Sequence, residues 1–393
     1  TTRRLAPGAL LPDLRGTFSA DPFVNRLYAT ALAALNDERG DRAEPFLRSV
    51  LALEEGSTEA SVRLAQALNY QNRWREAEEI ATALVDERGL SSKQRAAAYV
   101  SLSNSAFGRD DRQRAAEWAE EAIALARASD DRGAAADAHY ALARSLRFAD
   151  PARAAEHLAQ AQGLHREIGN RLGEVKTIQL QGILLDESGD RAGATEHFTA
   201  ALDIARELDA PRLQGVLFDS LALVSIQTGQ VRVAVDLLEQ ALALHRKGKD
   251  RRASVFTHNN LGDCYQELGR LDDAEATLRA GDALCDELDT PEPCALLAFN
   301  FAELLLVTGR PDEALPLLER SEGFYGDSDP DNLWLRSMHL LYTGDDAAAA
   351  ERLEAACAAA PAERCVGYRD GFADTRRAVR GAGPIVRGSN AGP

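Results

Sequence analysis

Alanine returns at a nearly constant spacing within the apolar helical segments of this chain. The spacing between successive positions is 34, 38, 39, 40, 40, 40, 40 and 35 residues. The positions are Ala43, Ala77, Ala115, Ala154, Ala194, Ala234, Ala274, Ala314 and Ala349. A small residue at this period indicates one structural unit copied along the chain, each copy too small to bury its apolar face alone. The pattern predicts an all-α chain of stacked helical units.

Residues 259–281 are the clearest copy of the unit. Leu261, Tyr265 and Leu268 recur with the spacing of one helix face. Gly269 is expected to end this helix, because glycine adopts the left-handed conformation without steric cost. Glycines spaced 40 residues apart repeat that stop at Gly189, Gly229, Gly269 and Gly309. Each unit is therefore predicted to be helix, tight turn, helix and loop.

This arrangement resembles the tetratricopeptide repeat (TPR), which has a small residue in each of its two helices and large apolar residues between them. The first small position is filled by Ala31, Ala65, Gly182, Ala222, Gly262 and Ala302, and the recurring alanines fill the second. Phe198, Leu238, Leu278, Leu318 and Leu353 supply the apolar position four residues later. Ser103 and Ser337 depart from the pattern at the first small position. The 40-residue units look most like the kinesin-light-chain and Pins type, and are similar to TPR regions of bacterial signalling regulators. The resemblance implies a right-handed α-solenoid of about nine repeats.

Three segments are expected along the chain. Residues 1–20 are predicted to be an N-terminal extension or linker, residues 21–360 the repeat array, and residues 361–393 a basic tail. Within the tail, Asp370–Arg380 is predicted to form a short capping helix, with disorder beyond Gly381. The chain begins Thr-Thr-Arg-Arg, so we expect a fragment of a longer protein or a processed product.

The acidic charge limits the classes of partner. The net charge is −17, and both termini are basic, which leaves about −22 on residues 21–360. Such a surface repels phosphate backbones, so direct nucleic-acid binding by the array is not expected. No segment approaches the roughly 18 consecutive apolar residues of a membrane helix. The expected partner is a protein or peptide, and the sequence does not determine the oligomeric state.

The cysteines leave two interpretations open. Cys285 and Cys294, like Cys357 and Cys365, are spaced to close a short disulfide in an oxidising compartment. The preferred interpretation is that they are buried free thiols, since free cysteine commonly behaves as a small apolar residue. A cytoplasmic location follows, with a periplasmic one as the alternative if Cys285 and Cys294 are bonded and a membrane helix lies upstream.

No catalytic constellation is visible. The Glu156-His157 and Glu196-His197 pairs occupy the same place in successive repeats, so periodicity explains them. The chain contains no HExxH, GxxxxGK[ST], GxGxxG or GxSxG motif and no CxxC pair. We therefore expect no enzyme activity, no cofactor and no metal site.

The TPR resemblance implies that the first helix of each unit lines a concave groove that binds partners. The repeat spacing places eleven candidate binding residues there: Asn104, Tyr140, Arg144, Lys176, Gln179, Asp219, Asn259, Asn260, Asp263, Asn300 and Glu303. Trp334 and Met338 are expected on the same face. Carboxamides both donate and accept, so a row of them can bind the main chain of an extended peptide. The alternatives are that the amides cap loops or bond a neighbouring helix, and that the charges are ordinary solvated groups.

Two functional hypotheses follow. The first is a non-enzymatic interaction module that binds a peptide or protein segment in its groove. The second is the sensor region of a bacterial transcriptional regulator or signalling kinase, whose output domain lies upstream. Two features of the sequence favour the second hypothesis. The composition is poor in Lys and rich in Ala and Arg, and the opening segment at residues 21–35 resembles the entry into the repeats of such regulators.

Overall fold

The structure, a computed structural model, describes residues 18–36, 39–87, 89–288 and 291–381. Throughout these ranges the regular structure is helical, with nineteen α-helices, one 3-10 turn and no strand. Contacts divide the chain into two compact units, Thr1–Leu213 and Gln214–Pro393. The predicted extension at residues 1–20 lies largely outside the described residues, as does the tail beyond Gly381.

The first unit contains ten complete helices. They are α1 (Pro22–Asn36), α2 (Gly40–Leu53), α3 (Thr58–Tyr70), α4 (Trp74–Asp86), α5 (Ser92–Gly108), α6 (Arg112–Ala128), α7 (Arg132–Leu146), α8 (Pro151–Glu167), α9 (Arg171–Glu187) and α10 (Arg191–Glu207). Helix α11 (Pro211–Gln227) crosses the division between the units.

The second unit contains the remaining helices. They are α12 (Val231–Gly248), α13 (Arg251–Glu267), α14 (Leu271–Asp282), a 3-10 turn (Cys285–Glu287), α15 (Glu292–Val307), α16 (Pro311–Tyr325), α17 (Pro330–Thr343), α18 (Asp346–Ala359) and α19 (Ala362–Val379).

Consecutive helices form nine pairs, from α1–α2 to α17–α18. The first helix of a pair packs on its second helix and also on the first helix of the next pair, as α3 does on α5 and α13 on α15. The all-α repeat architecture predicted from the alanine spacing is confirmed.

The recurring alanines lie where the two helices of each pair meet. All nine have no exposed surface. The apolar residue four positions later packs against the small residue of the first helix: a Cβ added to Gly262 would lie 2.7 Å from the Leu278 side chain. Ser103, which departs from the pattern, is fully buried and its hydroxyl donates to the Ala115 carbonyl at 2.7 Å. A polar residue is accepted there because its hydrogen bond is satisfied inside the crossing.

Helix ends follow the predicted turn chemistry. Gly189, Gly229, Gly269 and Gly309 each have positive φ, two residues after a first helix ends. The fourth pair has no such glycine, and the Asp150 side chain instead caps α8 by accepting from the Arg153 backbone N–H.

The preference for free thiols is wrong for four of the five cysteines. Cys285 is bonded to Cys294, and Cys357 to Cys365. The first bridge joins the 3-10 turn to the start of α15, and the second joins α18 to α19. Helix ends separated by a short loop bring the Cα atoms to 5.7 and 4.7 Å, within reach of a disulfide. Cys264 alone is free, and burial raises the pKa of its thiol to about 12.

The C-terminal helix is longer than expected. It begins at Ala362 rather than Asp370 and packs on both α17 and α18. Trp334 stacks on Tyr368 of α19 and donates its indole N–H to the Tyr368 carbonyl at 3.1 Å. The predicted groove position of Trp334 is therefore covered by α19, and that of Met338 is wrong because Met338 is 1% exposed in the core.

Candidate partner-binding surfaces

In the first unit, first helices from distant repeats face each other. The Lys176 ammonium of α9 lies 5.3 Å from the centre of the Tyr70 ring of α3, and the Arg212 guanidinium lies 5.7 Å from the same ring. Helix α3 is three repeats away from α9 along the chain. These contacts require the first-helix faces to curve towards each other, so they enclose a concave cleft.

Helices α5 and α7 together place a cation on an aromatic surface. Arg144 donates to the Asn104 carboxamide oxygen at 2.8 Å. Its guanidinium carbon lies 4.0 Å from the centre of the Phe107 ring and 5.8 Å from that of Tyr140. Such cation–π contacts attract the guanidinium to the ring faces and help to fix its position. Three predicted binding residues, Asn104, Tyr140 and Arg144, are thus brought together.

Other charged residues in this cleft were missed from the sequence. The Asp137 carboxyl of α7 is exposed to solvent and interacts electrostatically with His165, Lys176 and Arg63. Arg63 lies on α3, where its side chain donates to Gln66 at 3.1 Å. Their spacing was a usable signal: Asp137 is three residues before Tyr140, and Arg63 is seven before Tyr70, so each shares a helix face with a residue of the cleft.

Gln179 lies on α9 three residues after Lys176, and both side chains are partly buried. This spacing puts them on one face of the helix, as predicted.

In the second unit, the predicted amides bond one another. The Asn300 carboxamide of α15 donates to Asn259 Oδ1 at 2.9 Å and to Asp263 Oδ2 at 3.1 Å, both on α13. Asn259 is 3% exposed and its own Nδ2 donates to Asn260 at 3.3 Å. These amides therefore join neighbouring first helices, while Asp263 is exposed and Glu303 partly buried beside them.

Asp219 is engaged with the second helix of its pair. Its carboxylate accepts from the Thr257 hydroxyl at 2.9 Å and lies 2.7 Å from His245 Nε2. His245 and Thr257 have no exposed surface. Burial raises the pKa of Asp219, while the hydrogen bond from His245 opposes that shift.

The described part of the chain was expected to hold no metal site, and its histidines and acidic residues are dispersed along the helices. No group of three or more His, Cys, Asp or Glu side chains there is placed to hold a metal ion. The repeated histidines make different contacts: His157 stacks on His139 with the Nδ1 atoms 2.9 Å apart, and His197 Nδ1 lies 2.9 Å from the Gly193 carbonyl. No helix in the described ranges has the length and apolarity to cross a membrane.

The fold defines a protein built of stacked helical-hairpin repeats. Residues 214–281 match the family model described as "Tetratricopeptide repeat", which confirms the resemblance. No curated protein sequence matches the chain significantly.

Solved structures extend the likeness over most of the chain. A Rap protein complexed with Competence and Sporulation Factor has 14% identity and a TM-score of 0.62, covering 92% of this chain and 99% of its own. NprR in complex with its cognate peptide NprX has 13% identity and a TM-score of 0.54, covering 86% and 97%.

The third likeness is partial. The Signal Transduction ATPase with Numerous Domains protein PH0952 from Pyrococcus horikoshii, which has a tetratricopeptide repeat sensor, shares 13% identity with a TM-score of 0.53. The alignment covers 77% of this chain, which spans half the length of that protein. At these identities the likeness is one of fold.

Proposed function

We propose that the chain is a non-enzymatic interaction module whose first-helix faces bind an extended peptide or protein segment. The observation that carries the proposal is the convergence of Lys176 and Arg212 on Tyr70, which makes the first unit a cleft rather than a flat surface. A cleft lined by aromatic rings and polar side chains provides both contact area and main-chain hydrogen bonds. The fold likeness to NprR, solved with its cognate peptide, supports this choice.

A second candidate is the sensor region of a bacterial transcriptional regulator or signalling kinase. The likeness to PH0952 favours it, since the repeats of that protein are described as a sensor attached to an ATPase. Both candidate functions use the cleft to bind a partner. In the second candidate, binding also controls the activity of an output domain. Joining this chain to the output domain encoded with it, and measuring the output with and without a bound peptide, separates them.

The disulfides bear on the compartment. Disulfides persist in oxidising environments and are rare in the bacterial cytoplasm, where thiols are kept reduced. The bonded Cys285 and Cys294 support the periplasmic alternative over the cytoplasmic expectation. Non-reducing mass spectrometry of protein matured in the native cell tests this: four free thiols would restore the cytoplasmic expectation.

The peptide proposal is tested with a synthetic pool of acetylated heptapeptides with randomised positions. The immobilised chain is expected to retain a subset of the pool, and Tyr70→Ala to retain several-fold less, because the ring that both cations contact is removed. Arg153→Ala is the matched control, since Arg153 lies exposed on the second helix α8. No retention by the native chain, or equal retention by Tyr70→Ala, refutes the proposal.

A further inference from the structure

Arg144 is a partly buried cation without a carboxylate partner. Its contacts in the described chain are the Asn104 carboxamide oxygen and the rings of Phe107 and Tyr140. Its Nε is shielded from solvent and has no acceptor. Arg147, three residues on, also has a shielded Nε without a hydrogen-bond acceptor, but its charge is paired, because this atom lies 3.4 Å from the Glu187 carboxylate. Arg144 is therefore held in position without a carboxylate from the described residues to balance its charge.

The electrostatics of this position favour an anion. Burial lowers the pKa of Arg144, and nearby Arg147 acts in the same direction. A guanidinium stays charged under all ordinary conditions, so its desolvation is not relieved by loss of a proton. An anion that approaches it would restore the interactions lost to water.

The neighbouring polar atoms are donors. Because Asn104 Oδ1 accepts from Arg144, the orientation of its carboxamide is set and its Nδ2 faces away from that contact with two N–H groups. The Tyr140 ring, whose centre lies 5.8 Å from the guanidinium carbon, carries a hydroxyl that can also donate. A guanidinium, an amide N–H and a hydroxyl together suit a ligand that only accepts, which an ionised carboxylate does.

The other cations of the cleft are less available. Lys176 and Arg63 interact electrostatically with Asp137, which lies seven residues before Arg144 on α7. Asp137, the carboxyl that interacts with these two cations, lies about two helical turns from Arg144. No carboxylate among the described residues contacts Arg144 itself.

We propose that Arg144, with Asn104 and Tyr140, binds a carboxylate of the segment that occupies the cleft. The inference rests on the proposed peptide-binding function and specifies one chemical group of the ligand. The planar fork of the guanidinium can donate two parallel N–H hydrogen bonds to a carboxylate. The carboxylate is supplied by the C-terminus of the segment or by an Asp or Glu side chain.

The test uses the heptapeptide pool in two forms, with a free C-terminal carboxylate and with a C-terminal amide. The native chain is expected to retain peptides rich in carboxylates, and Arg144→Gln to retain them about tenfold to a hundredfold less well. Loss of retention on amidation assigns the terminal carboxylate, and enrichment in Asp and Glu that survives amidation assigns a side chain.

Two further variants sharpen the test. Arg147→Gln is the matched control, because Arg147 is already paired, and its retention of carboxylates should equal that of the native chain. Asn104→Asp places a carboxylate beside Arg144 from within the fold and is expected to block the site while leaving the helix content unchanged. This variant keeps the test decisive if Arg144→Gln does not fold.

The outcomes separate the two proposals. Retention of peptides without any carboxylate preference, or an unchanged preference in both Arg144→Gln and Asn104→Asp, overturns the carboxylate site and leaves the peptide cleft standing. No retention by the native chain overturns both.

Discussion

The buried imidazole of His245 lies 2.7 Å from the carboxylate of Asp219, and this pair ties α12 to α11. A Cβ added to Gly215, on the same helix as Asp219, would come within 2.7 Å of the His245 ring. The imidazole therefore fills a space that only glycine leaves open, and the carboxylate satisfies its Nε2 atom.

Removal of this carboxylate should destabilise the second unit. Asp219→Ala leaves the His245 Nε2 atom without a partner inside the fold, at a cost of about 1–3 kcal/mol. The Thr257 hydroxyl keeps its contact with the Ala253 carbonyl at 2.9 Å. The measurement is urea unfolding followed by circular dichroism. Asp236→Ala, at an exposed position of α12, is the control and should shift the free energy of unfolding by less than about 0.5 kcal/mol. Equal effects of the two variants would contradict a structural role for Asp219.

The crossing of paired helices predicts opposite effects for two glycine substitutions. In Gly262→Ala the added Cβ lies 2.7 Å from Leu278, so the helices must separate, at a cost of about 1–2 kcal/mol. In Gly163→Ala the Cβ meets nothing within 4 Å on the exposed face of α8. That substitution should stabilise by about 0.5–1 kcal/mol, because alanine loses less conformational entropy in a helix. Thermal unfolding of both variants decides the matter, and a destabilised Gly163→Ala would count against this explanation.

Buried histidines predict a loss of stability in mild acid. Burial lowers the pKa of His258 to about 4, below the unfolded value near 6.5. Between these values the unfolded chain binds the extra proton, so the free energy of unfolding falls as pH drops from about 6.5 towards 4. The loss for His258 is at most about 3 kcal/mol.

The measurement is urea unfolding at pH 6.5 and pH 5, a range that avoids most carboxylate titration. His258→Gln should reduce the difference between the two pH values. His197→Gln, on a partly exposed histidine that contacts the Gly193 carbonyl at 2.9 Å, serves as the control. An unchanged pH difference in His258→Gln would show that other groups cause it.

The disulfides predict a thermal response to reductant. The Cys285–Cys294 bridge closes a segment of nine residues in sequence, and its loss should cost about 2–3 kcal/mol. The melting temperature of the native chain should fall when a reducing agent is added. A variant with all four bonded cysteines replaced by serine should show no such shift, and an equal response in both would refute the bridges.

The sequence was a sufficient guide to the repeat because one alanine lies at each helix crossing. Ala274 and Gly262 are small because the two helices of one pair contact each other there. The same contact recurs in every pair, so small residues recur at a constant spacing in the sequence. The binding surface follows a different rule. The contact between Lys176 and Tyr70 depends on how three successive repeats curve. The residue spacing within one repeat does not determine that curvature.

The amides illustrate the same limit. Asn259 and Asn300 were predicted to face a ligand from their place on the first helices, yet each finds a partner on the adjacent repeat. The hydrogen bond between them depends on the distance between neighbouring helices, which the sequence of one helix does not contain. Whether a peptide replaces these bonds stays a prediction.

Because each helix pair packs on its immediate neighbours, whole repeats can be inserted into or deleted from this protein. Excision of residues 132–170 would join Asp131, which caps α7, directly to the first residue of α9. The cut removes 39 residues, which is one complete period and equals the spacing between Ala115 and Ala154. It also restores a helix cap at the junction. A cut of half that length would leave an apolar helix face in water. New binding specificity can therefore arise by gain or loss of entire hairpins, with Arg144 and Tyr140 carried together on one such module.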